Sequence, residues 1–139
     1  MAPHAKITSL LLSALLFIAG AAGVSASPRS DYLLHCGGCH LENGQGTPPE
    51  VPDLRVDLEW LARFPEGRAY LTRVPGASQV PISNARLAAL FNWIFETYYP
   101  ASADIEPYTA EEIGRSRYDP LYDPLKARKA LGARALKSD

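Results

Sequence analysis

The chain has few of the residues that hold metals, and no pattern that builds sheets. It carries two cysteines, three histidines and a single methionine, the initiator Met1. A zinc centre asks for four ligands, and beside the two cysteines the only histidines are His4, close to the N-terminus, His35 and His40. No stretch alternates apolar and polar residues for long enough to make a strand-rich fold. No basic stripe interleaved with aromatics stands out, and Lys and Arg (14) nearly balance Asp and Glu (15), so nucleic acid is not an expected partner. Long apolar runs are also scarce. The one candidate, Ile7 to Gly20, falls short of the roughly 20 residues a membrane span needs.

That run has another use. His4 and Lys6 precede it and small residues, Ala21 to Ala26, follow it, which is the anatomy of a secretory signal peptide. Residues 1–26 are therefore expected to be a leader cleaved after Ala26, giving an exported, periplasmic protein with no membrane span in the mature chain. What remains suffices for one small domain, whose core is marginal without a disulfide, a metal or a bound cofactor.

Ser30 is the expected cap of a short helix through Asp31 to Leu34. Residues 41–52 read as loop, with Gly44, Gly46 and three prolines. Asp53 to Arg63 fits a short helix stopped by Pro65, which can itself open the next through Arg73. A second loop, Val74 to Ile82, leads to the clearest helix, capped by Ser83, with Leu87, Leu90, Phe91, Ile94 and Phe95 at helical spacing. The expected fold is all-α, with a domain over 27–100. Residues 101–139 form a charged, turn-rich C-terminal extension, read as a loosely packed tail, with a docking arm for an acidic partner as the alternative; its helical, basic stretch over 125–136 carries Lys126, Arg128, Lys129 and Arg134, with Lys137 just after.

One constellation has a specific chemical meaning: Cys36-Gly37-Gly38-Cys39-His40. In C-x-x-C-H the two thiols can add to the two vinyl groups on one edge of a haem, and the adjacent histidine is held under the iron. The alternatives fit less well. A thioredoxin-like pair would want a strand before it and a βαβ pattern around it, and a disulfide across two residues would be strained and leave His40 unexplained. One covalent haem c is therefore the expected cofactor, on Cys36 and Cys39, with His40 as proximal iron ligand. Export suits it, because attachment needs an oxidising compartment.

From Asp31 to about Tyr98 the chain resembles the class I mono-haem c-type cytochromes. The resemblance implies a small cytochrome c-like helical fold around the haem, with the extension added. It implies that the Pro52 carbonyl receives the other N–H of His40. It also implies that an aromatic, Trp93 or Phe91, sits where the last helix crosses the first. The sixth ligand departs from the pattern. That family takes a methionine from the loop before the last helix, but here the loop offers Ser78 and Gln79, with Asn84 beyond, and His35 lies on the proximal side. The distal ligand is thus unassigned. The implied function is single-electron transfer between redox partner proteins, such as a dehydrogenase, an oxidase or another cytochrome, with no catalytic residue. The alternative is a haem protein with an open distal site that binds a small gas or peroxide, flanked by Arg73 and Arg86.

Overall fold

The computed structural model describes residues 26–56, 58–102 and 104–135, so all of the expected leader except Ala26, and Lys137 in the tail, lie outside the described residues. Helices account for the regular structure, with no strand among the described residues beyond an isolated Thr47–Val51 bridge. The fold is all-α.

The first helix, α1 (Pro28–His35), begins earlier than the sequence suggests. Ser27 caps it, accepting from the Ser30 N–H, because Pro28 has its φ already set for the first helical position. A single turn, α2 (Gly37–His40), follows directly. The helix expected over 53–63 contracts to α3 (Leu58–Ala62), since Asp53 is engaged in a turn with Arg55: the Arg55 amide, Nε and Nη2 all donate to its carboxylate. Next come α4 (Pro65–Arg73) and a short α5 (Pro75–Ser78) inside the second loop. The longest helix, α6 (Asn84–Tyr98), has the Ser83 cap in place, its side chain accepting from the Arg86 N–H.

Helix α1 packs against α6, and α3 against α4. The α1–α6 crossing buries Tyr32 completely, its ring 5.3 Å from that of Trp93. Trp93 therefore occupies the crossing, while Phe91 stands edge-on to Tyr108, 5.1 Å away. The core centres on Leu61, Leu87 and Leu90, all essentially inaccessible, each worth roughly 1.5–3 kcal/mol of burial.

The extension beyond Pro100 is not a loosely packed tail. Its α7 (Ala110–Ser116) packs on both α6 and α4, and α8 (Pro124–Ala135) packs on α4. Tyr108 and Ile113 are core residues. Asn92 of α6 exchanges two hydrogen bonds with the Tyr108 backbone, at 2.7 and 3.1 Å, and Arg68 of α4 grips Glu112 with a two-pronged ion pair. The charge and turn content of this stretch suggested solvent exposure. Tyr108 and Ile113 nevertheless land at core positions, and Glu112 and Asp119 pair with Arg68 and Arg73 of α4.

Candidate functional site

The two cysteines and His40 are brought together by helical closure alone. Cys36 terminates α1, its N–H bonded to the Tyr32 carbonyl at 2.8 Å, and its own carbonyl accepts from the N–H groups of Cys39 and His40 at 3.1 and 2.9 Å. Both thiols are free. Cys36 is half-buried against the core and Cys39 is exposed. Burial, with the nearby charges of Asp31 and Cys39, pushes the Cys36 thiol up to about 11, so it stays protonated at neutral pH.

His40 is tied to the loop after it. Its Nδ1 lies 2.9 Å from the Pro52 carbonyl oxygen, the geometry of an imidazole N–H donating to a backbone acceptor. Burial lowers its pKa, opposed by the Pro52 bond and by the Asp53 carboxylate, which Arg55 holds at about 2. The outcome is a neutral imidazole with Nδ1 committed and Nε2 left as a donor of an electron pair.

The loop that delivers Pro52 is folded back by backbone bonds. Gly46 donates to the His40 carbonyl (3.1 Å) and Leu54 to that of Gly44 (2.7 Å). Gly46 has φ +62°, and a Cβ there would stand 2.5 Å from the Val51 oxygen, so no other residue closes this turn. Two tyrosines lock the arrangement, which sequence reasoning missed. Tyr32 donates to the Leu41 carbonyl at 2.6 Å; the Tyr99 hydroxyl donates to Leu54 and accepts from the Leu58 N–H. Nothing in the residue spacing marks either hydroxyl as a partner for the loop backbone.

A cavity of about 350 Å³ opens beside this loop, between Pro48, Pro49, Pro52, Asp53 and Val56 on one side and Leu125 and Arg128 of α8 on the other. Leu33, Leu34 and Leu41, which flank the motif, and Val56 are exposed large apolar side chains. Two thiols one turn apart, a neutral imidazole with one free nitrogen and uncovered apolar groups around them form a donor set that fits haem c. Among the described residues, no cluster of three or more His, Cys, Asp and Glu offers an alternative metal site.

Three polar side chains that flank the second loop are engaged with other partners. Arg73 pairs with Asp119, Arg86 with the buried Asp31, and the Asn84 side-chain oxygen accepts from Arg117 and Tyr118. Arg73 and Arg86, the two arginines that flank the loop, are thus each held in an ion pair.

No family model matches the chain. It is similar to a cytochrome c-552 of Thermus thermophilus, with 29% identity over 143 aligned positions that take in 87% of this chain and 96% of that protein. A second cytochrome c-552 of Thermus thermophilus is 29% identical over 119 positions, 70% of this chain and 91% of the relative. These similarities support a c-type cytochrome.

Proposed function

We propose that the chain is an exported, periplasmic electron carrier holding one haem c on Cys36 and Cys39, with His40 as the proximal iron ligand. The observation that carries the reading is the 2.9 Å contact between His40 Nδ1 and the Pro52 carbonyl, next to two free thiols in the same turn. A bound haem would supply a site that gains and loses a single electron. The chain's own residues do the rest. Cys36 and Cys39 supply the sulfurs that fix one ring edge. Pro52 sets the tautomer and plane of His40 and strengthens its basicity. Tyr32 and Tyr99 hold the peptides on either side of the loop in place. Partners on this reading are redox proteins, such as a dehydrogenase, an oxidase or another cytochrome. Among the described residues no helix is long and apolar enough to cross a membrane.

The test is expression with a haem-attachment system, followed by denaturing electrophoresis stained for haem and a spectrum of the reduced protein. Haem that stays with the denatured polypeptide, and is lost on replacing both cysteines by alanine, is the expected result. A parent protein that retains none would overturn the reading.

A further inference from the structure

Arg117, at the C-terminal cap of α7, is 3% exposed, yet none of the ion pairs among the described residues includes it. Its guanidinium is committed instead to one stretch of main chain. Nη1 donates to the Ile82 carbonyl at 3.0 Å and to Asn84 Oδ1 at 3.1 Å. Nη2 donates to Val80 at 2.7 Å, with the Ser78 and Ala77 carbonyls at 3.4 and 3.5 Å. Burying a full charge is costly unless it is well hydrogen-bonded, so these oxygens must stay turned toward it. The approach is close: a Cβ on Gly114, one turn before Arg117, would stand 2.8 Å from the Asn84 amide nitrogen. The chain on either side of Arg117 is fastened to the end of α4, with Leu121 donating to the Arg73 carbonyl at 2.9 Å and Ser116 bonded to Thr72 at 2.6 Å.

We propose that Arg117 is a positioning residue for the redox centre: it fixes the course of residues 77–82 and keeps an uncompensated positive charge beside them. The inference rests on the cytochrome reading above, in which that loop faces His40 from the other side of the haem. Two consequences follow. The loop is held to one course by the guanidinium, whatever group takes the sixth position on the iron. If a haem were bound with this loop over one face, a buried cation beside it would oppose loss of an electron and so raise the reduction potential. A lysine can keep the charge but not the planar fork that reaches several carbonyls at once.

The test uses the full-length holoprotein and two variants, Arg117→Met and Arg117→Lys, with amide hydrogen exchange over 77–82 and a spectroelectrochemical redox titration as readouts. Exchange should quicken by at least about tenfold in both variants as charge-assisted bonds are lost. The potential should fall in Arg117→Met and stay nearer the parent value in Arg117→Lys. A folded Arg117→Met protein with parental exchange and potential would overturn the proposal. Should that variant fail to fold, Asn84→Ala removes one acceptor and leaves the guanidinium in place. It should speed exchange at 82–84, and unchanged exchange would count against the proposal. Absence of covalent haem from the parent would instead sink the cytochrome reading, while the exchange result would still decide whether Arg117 holds the loop.

Discussion

The guanidinium of Arg68 lies over the ring of Tyr108, 3.9 Å from its centroid, while Nε and Nη2 of the same group bind Glu112 at 2.6 and 2.7 Å. A residue of α4 thereby clamps two residues of the C-terminal extension, one through its face and one through its edge. The clamp makes the extension part of the same helical fold that carries Cys36, Cys39 and His40.

Truncation therefore has two outcomes, depending on where it falls. Ending the chain after Pro100 removes Tyr108, Ile113 and Arg117 from the core and should abolish accumulation of folded protein. Ending it after Asp123 removes only α8 and should leave a folded, haem-stained product. Periplasmic yield and circular dichroism of the two fragments decide the matter, and equal behaviour would show that α7 is not structural.

Tyr108 carries its own prediction, because its hydroxyl is buried with no partner among the described residues. Tyr108→Phe should leave stability unchanged or raise it by about 1 kcal/mol, since an unsatisfied polar group is removed. Tyr108→Ala should cost about 3–5 kcal/mol from the cavity left beside Phe91, Phe95 and Arg68. Urea unfolding of both variants checks the pair. A marked loss in Tyr108→Phe would reveal a bond to the hydroxyl.

Tyr32→Phe is expected to behave in the opposite way. Here the hydroxyl donates at 2.6 Å to the Leu41 carbonyl, so its loss leaves a part-buried acceptor unmatched at about 1–3 kcal/mol. The chain immediately after His40 should loosen at the same time, visible as faster amide exchange over residues 41–46.

Asp31 and Arg86 join α1 to α6 through a two-pronged pair in which the carboxylate is buried and the arginine is 39% exposed. Asp31→Ala should cost about 1–3 kcal/mol, less than a fully buried pair because solvent reaches the arginine. A double-mutant cycle with Arg86→Ala isolates the coupling, and a coupling near zero would mean the pair only orients the helices.

Helix α8 exposes Lys126 and Lys129. The chain truncated after Asp123 should react more slowly than the full-length protein with an acidic redox partner at low salt. The gap should close as salt is added, because the screening length is only about 8 Å at physiological ionic strength. Stopped-flow rates that match at every ionic strength would restrict α8 to packing.

Local signals in the sequence determined the proposed haem motif and most helices. Cys36, Cys39 and His40 fall within one turn whatever the rest of the chain does, and Ser83 with the spacing from Leu87 to Phe95 specifies α6 from nearest-neighbour geometry. Pro52 was legible only through a resemblance, because its bond to His40 spans 12 residues and depends on how a glycine-bearing loop folds back. Only the tertiary structure decided the role of residues 101–135. Their composition is that of a solvated segment, and nothing in their spacing tells that Tyr108 will slide under Arg68 or that Arg117 will be buried. Such contacts join positions 35 to 44 residues apart, and they form because carbonyls and arginines on other elements satisfy charges that an isolated segment would leave in water.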